Sequence, residues 1–160
     1  MRRNKRIGAC VALLFALGAC SDRPDDLLFK DFFVYVADET GSASSRILST
    51  ANNLVVTYYF NLVSETPEEP LTVNFDVVIG DGLSEGTDFT FQTESRSVTF
   101  EPGVYRKPFR ILYKSHAVDP AKDNTIQLVI TSTSDPDITI GYPGPSHKFD
   151  RHKIEIYNQN

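Results

Sequence analysis

From residue 31 onward, apolar and polar side chains alternate with period two along most of the chain. Phe32, Val34 and Val36 open the pattern. In the next run Leu54, Val56, Tyr58, Phe60 and Leu62 share one face, and Val55, Thr57, Tyr59, Asn61 and Val63 share the other. Leu71, Val73, Phe75, Val77 and Ile79 form the most regular series. Shorter runs follow at Phe89 and Phe91, Val98 and Phe100, Phe109 to Tyr113, Ile126 to Ile130, and Ile154 and Ile156. Strict alternation marks strands with one buried face, and β-branched and aromatic residues suit a pleated surface. No segment of the mature chain keeps a helical period. The pattern therefore predicts an all-β fold, an antiparallel two-sheet sandwich of at least six strands. Its expected core contains Val73, Phe75, Val77, Ile111, Leu128 and Ile130.

Turn chemistry separates the runs. Thr66-Pro67-Glu68-Glu69-Pro70, Gly80-Asp81-Gly82, Glu101-Pro102-Gly103 and Ser134-Asp135-Pro136-Asp137 carry the residues that fix or free φ at tight connections. Two further stretches read as loops. One is the serine-rich segment from Gly41 to Ser49, and the other is Gly141-Tyr142-Pro143-Gly144-Pro145.

The N-terminus follows a different logic. Arg2, Arg3, Lys5 and Arg6 make a positive head, Ile7 to Ala19 is apolar, and Leu17-Gly18-Ala19-Cys20 closes the run. A basic region, a short apolar region and small residues before a cut describe a secretory signal. Crossing a bilayer takes about 20 apolar residues, more than this run offers. With cysteine as the first residue after the cut, the segment resembles a bacterial lipoprotein signal with its lipobox. That resemblance implies cleavage before Cys20 and a diacylglycerol on its sulfur, a membrane partner held through two or more acyl chains. Residues 1–19 are then signal, 20–30 a lipidated acidic tether, and 31–160 the sandwich domain. The tether (Ser21, Asp22, Arg23, Pro24, Asp25, Asp26) is similar to the export signal of Bacteroidota surface lipoproteins, implying the bacterial outer membrane and its exposed face.

Loss of the signal removes four cations and no anion, moving the formal charge from −5 to −9. An acidic exterior gives phosphate backbones nothing to bind, which argues against nucleic-acid partners. Cys10 leaves with the signal and Cys20 is committed to lipid, so no disulfide is expected and stability rests on one hydrophobic core.

One block carries a second likeness. An alternating strand from Leu71 is followed by Glu85-Gly86-Thr87-Asp88-Phe89, a short polar strand, Val98-Thr99-Phe100-Glu101-Pro102-Gly103 and a further alternating strand. This order is similar to the Calx-beta domain, and with the lipobox the chain resembles small Calx-beta-like or immunoglobulin-like lipoproteins of Bacteroidota. The motif also has a purely structural use, with Asp88 bonding turn amides, Phe89 entering the core and Pro102-Gly103 building a hairpin. The resemblance implies calcium held by clustered carboxylates, for which Asp81, Glu85, Asp88, Asp119, Asp123, Asp135 and Asp137 are the available groups. Where the family places its late acidic cluster, this chain has Lys114-Ser115-His116-Ala117-Val118-Asp119, so no metal site and no cofactor are expected.

Other chemistry is sparse. His116, His147 and His152 have no free cysteine and no tight ligand spacing for zinc, and His147 and His152 read as surface residues. There is no serine elbow, P-loop or His-Glu metalloprotease motif, so no enzyme activity is expected. Trp is absent, which leaves Tyr59, Tyr105 and Tyr142 as candidate ligand-binding rings, each equally compatible with ordinary edge packing. The likeness to Bacteroidota lipoproteins implies an accessory binding module of a glycan-acquisition system. Its partners would be an outer-membrane transporter, glycan-binding lipoproteins or a glycan. The alternative is a calcium-stabilised adhesion or scaffold module.

Overall fold

Each alternating run becomes a strand because its apolar face finds an opposing sheet to cover. The computed structural model of the chain describes residues 31–49, 52–65, 67–145 and 148–159. The apolar run, Cys20, the tether and His147 lie outside the described residues. The described residues form ten strands: β1 (Phe33–Asp38), β2 (Ser44–Leu48), β3 (Leu54–Val63), β4 (Leu71–Ile79), β5 (Phe89–Phe91), β6 (Ser97–Phe100), β7 (Arg106–Tyr113), β8 (Thr125–Thr133), β9 (Thr139–Ile140) and β10 (Arg151–Tyr157). They build two five-stranded sheets, in the orders β5-β7-β3-β1-β9 and β2-β10-β8-β4-β6. Pairing is antiparallel except for β1 with β9 and β2 with β10, which are parallel.

The core lies between the sheets. Val34, Val36, Tyr58, Phe60, Phe109 and Ile111 come from the first sheet, and Val73, Phe75, Ile126, Leu128, Ile154 and Ile156 from the second. Phe60 meets Phe75 at 4.6 Å between ring centroids, and Phe75 meets Phe109 edge-on at 5.2 Å, so aromatic packing joins the two sheets. Five of the six expected core residues are buried, and Val77 packs against the core from a half-buried position near the end of β4.

Two expectations fail. The serine-rich stretch read as a loop contains β2, an edge strand docked in parallel on β10 from Ser44 opposite Lys153 to Leu48 opposite Tyr157. Local propensity hides it, because its stability comes from partners on β10. Ile47 is buried, and Arg46 pairs with Glu155 at 3.2 Å while lying 4.3 Å over the Tyr157 ring. His152 is not a surface residue either, since it is wholly buried on β10. Its Nδ1 lies 3.0 Å from the Ser42 carbonyl, which can only accept, so Nδ1 carries the proton. Nε2 then accepts from the Ser45 hydroxyl at 3.0 Å, and Tyr58 covers the ring at 4.9 Å. These two bonds let a polar ring replace an apolar one without an unsatisfied group.

Between β1 and β2 the chain crosses from one sheet to the other around Asp38. One carboxylate oxygen accepts from the Thr40 amide (2.9 Å), the Thr40 hydroxyl (2.7 Å) and the Ser42 amide (2.9 Å). Burial alone would raise this carboxyl, but those hydrogen bonds outweigh it and hold it below its ordinary value. Another close approach ties the β4–β5 connection to the loop before β8. There a Cβ on Gly80 would overlap the Asp123 carbonyl, so only glycine fits.

Candidate functional site

The outward face of the first sheet gathers the aromatic and cationic side chains that its strands turn away from the core. Register places Tyr35 of β1 opposite Asn61 of β3, and Asn61 opposite Arg106 of β7, so the three lie in one row across the sheet. In the next row Tyr59 stands between Ala37 and Pro108. These small neighbours leave room for its ring to be covered by Arg106, whose guanidinium carbon lies 3.4 Å from the ring centroid. Pro108 is tolerated in this interior strand because the bonding on its β5 side stops at the Gln92 amide and the Arg110 carbonyl (3.0 Å), short of the missing N–H.

The last connection covers the other side of the row. Gly141 donates its amide to the Val34 carbonyl at 2.8 Å, and Val36 donates to the Phe149 carbonyl at 3.1 Å, which continues along β1 the edge that β9 begins to cover. Phe149 holds φ at 68°, the only positive φ of a non-glycine residue among the described residues. Backbone strain of this kind persists where surrounding packing enforces it. Here the enforcement is aromatic. Tyr142 stacks on Phe149 at 4.8 Å and meets Tyr35 at 5.2 Å and Phe33 at 5.0 Å. Burial first, and the adjacent Tyr142 second, push the Tyr35 hydroxyl up, while the positive charge of Arg106 opposes them. Tyr142 is still 39% exposed, so the cluster has an open ring at its surface.

The three candidate tyrosines thus take different positions. Tyr59 and Tyr142 belong to one face, linked through Tyr35 and Arg106, with the open side of Tyr59 already occupied by the guanidinium. Tyr105 does not join them. Its carbonyl accepts from the Leu62 amide at 2.9 Å, which continues the β3–β7 ladder and sets its side chain on the side opposite to Arg106. Sequence reasoning overlooked Tyr35, Arg106 and Phe149. Tyr35 and Arg106 were accessible from period two, since Tyr35 falls between inward Val34 and Val36, and Arg106 lies three residues before inward Phe109. Phe149 had no such signal.

The calcium chemistry implied by the Calx-beta likeness does not fit the residues present. Asp88 is buried, and one oxygen accepts from the Ser84 amide at 2.8 Å while the other faces Nδ1 of His116 at 2.7 Å. Lys114 donates its ammonium to the Gly86 carbonyl, so a cation of the protein already sits in that turn. Asp81 accepts from the Asp123 amide at 3.0 Å, and Asp119 and Asp135 are engaged in their own turns with Ala121 and Asp137. Among the described residues, no three of His, Cys, Asp and Glu gather as a metal would require. Asp88 therefore organises the turn that delivers Phe89, wholly buried, into the core. A separate cleft of about 420 Å³ lies beside Phe32, Leu71 and Ile138, with Glu65, Glu68, Glu69 and Asp135 at its rim.

No family model matches this chain, and none of the curated proteins does. Solved structures do resemble it. A protein from Bacteroides thetaiotamicron, EndoBT-3987 with Man5GlcNAc product, superposes with a TM-score of 0.54 at 14% identity, covering 78% of this chain and 31% of its own. A Bacteroides ovatus protein of unknown function superposes with a TM-score of 0.51 at 10% identity, covering 78% of this chain and 46% of its own. The seventh ScaB type I cohesin of Pseudobacteroides cellulosolvens aligns over 81% of this chain and 94% of its own at 14% identity, with a TM-score of only 0.33. The chain spans less than half the length of either Bacteroides protein. What it shares with them is the fold, an all-β two-sheet sandwich.

Proposed function

We propose that this chain is a non-catalytic, lipid-anchored module of the bacterial outer membrane that binds glycan for an acquisition system. The observation that carries the reading is the outward face of the first sheet, where Tyr142 packs on Tyr35 and Arg106 lies over Tyr59 in adjoining rows. Rigid rings with polar edges make broad contacts at little entropic cost, and a flat ring face suits the C–H face of a pyranose. The two described histidines and the buried Asp88 have structural work. His152 is sealed in the core with Ser45, and Asp88 and His116 hold a turn. One neighbour of the same fold was solved with a Man5GlcNAc product, which makes glycans the first ligand class to try. The lipobox likeness at Cys20 and the acidic tether support placement at the envelope, within reach of a transporter or of other glycan-handling lipoproteins.

A glycan array probed with the intact chain tests this. Binding is expected, with Tyr142→Ala weakening it at least tenfold and Tyr105→Ala leaving it unchanged. An array without binding, or turnover of any arrayed glycan by the purified chain, overturns the reading.

A further inference from the structure

Resting on the reading of this face as glycan-binding, we propose that its ligand is an acidic polysaccharide rich in hexuronic acids, whose carboxylate is gripped by Arg106.

The guanidinium of Arg106 lies 3.4 Å from the centre of the Tyr59 ring. That contact uses only the π face of each group. The N–H edges of the guanidinium stay in its plane and remain available as a fork, and this fork matches the two oxygens of a carboxylate. Stacking also removes much of the rotamer freedom that an exposed arginine would lose on binding, which lowers the cost of ordering it.

Among the described residues, no carboxylate fills that fork. The ion pairs among the described residues join Arg46 to Glu155, His116 to Asp88 and Arg151 to Asp150. The outward positions of β3, from Val55 to Val63, and of β1, from Phe33 to Ala37, contain no acidic residue. Two turns further along the pleat of β7, Arg110 presents a second exposed guanidinium, about 13 Å from the first at strand spacing. In a chain that carries 21 acidic residues, a face with two arginines and no acid is a local reversal of sign. A polyanion is drawn to this face and repelled by the remainder of the surface.

The rings decide between a sugar and an acidic peptide. Tyr142 presents a partly exposed ring next to Tyr35, which shares its row with Asn61 and Arg106, and Phe149 stacks behind it. A pyranose with a carboxylate on its rim satisfies both halves of this surface, whereas a neutral sugar leaves the arginine unused. Tyr59 then acts as a positioning residue, since its ring seats Arg106.

The test uses the intact chain in detergent with oligomers of galacturonate, mannuronate and glucuronate, each beside its methyl ester, in calorimetric titrations. At least one acid should bind tenfold or more tighter than its ester, with affinity falling as salt is raised. Arg106→Gln should abolish the preference. Tyr59→Phe should keep it, because the ring remains, and Tyr59→Leu should lose it, with both variants melting like the parent. Equal binding of acid and ester in every pair overturns the proposal and leaves the glycan reading intact. Absence of binding to these and to neutral glycans overturns both. Equal, Arg106-dependent binding of a poly-glutamate peptide overturns the assignment to a sugar.

Discussion

At the residue scale, position relative to the pleat governs what each side chain contributes. Phe75 and Val78 lie three residues apart on β4, yet Phe75 is sealed between Phe60 and Phe109 while Val78 is 52% exposed. Phe75→Ala should leave a cavity between the sheets and cost about 3–5 kcal/mol. Val78→Ala should cost less than about 1 kcal/mol, since only strand propensity and surface packing change. Urea denaturation of the two variants checks this, and similar midpoints would contradict the packing described. The same alternation separates the three candidate tyrosines, since Tyr59 faces outward while the ladder turns Tyr105 to the opposite side.

At the element scale, β2 depends on one imidazole. His152 holds the strand through the Ser42 carbonyl and the Ser45 hydroxyl. Burial pulls its pKa below the ordinary histidine value, against the smaller opposing pulls of Asp38 and the Ser42 carbonyl. The sign of the pH dependence follows. Above about pH 6.5, where an unperturbed histidine titrates, both folded and unfolded states are neutral and no penalty exists. As pH falls through that value the unfolded chain takes up a proton that the fold resists, so stability declines until the lowered folded pKa is reached. Melting temperatures between pH 8 and pH 5 should therefore fall more steeply for the parent than for His152→Gln. Parallel slopes would show that this histidine does not titrate on unfolding. Asp38 acts in a separate and lower window. Its carboxyl is held below its ordinary value, so its contribution is present at neutral pH and lost in acid.

At the scale of the whole molecule, the proposed anchor and the proposed binding face are separate devices. Cys20 closes an apolar run behind four basic residues, so Cys20→Ala is expected to leave the signal uncleaved or release the chain from membranes. Fractionation with metabolic labelling by a fatty acid measures both. A mutant still processed and still membrane-bound through the same N-terminus would remove the lipoprotein reading and leave the sandwich untouched. The fold itself rests on the two-sheet core, and the face on Arg106, Tyr35 and Tyr142 needs only that core to present it.

Strands β3, β4, β7 and β8, with most of their buried residues, could be read directly from the sequence. Period two is a local property, and each of these runs is long enough to display it. The Asp88–Phe89 turn was equally accessible, because a short carboxylate before a buried ring is a local arrangement. Strands β2 and β9 were not. Their pairing partners, β10 and β1, lie more than 100 residues away in sequence, and neither strand has the alternation to announce itself. His152 looked like a surface residue for a related reason, since the two groups that satisfy it sit on β2 and the turn before it. The proposed binding face shows the same division. Sequence identified outward Tyr59 and Tyr142 as candidates, but it offered no means of joining them. Their placement on one face, beside Tyr35 and Arg106, was decided by register between strands and by a loop folded back along β1. Those are long-range pairings that only the tertiary structure specifies, because an alternating pattern states which way a side chain points and not which strand lies beside it.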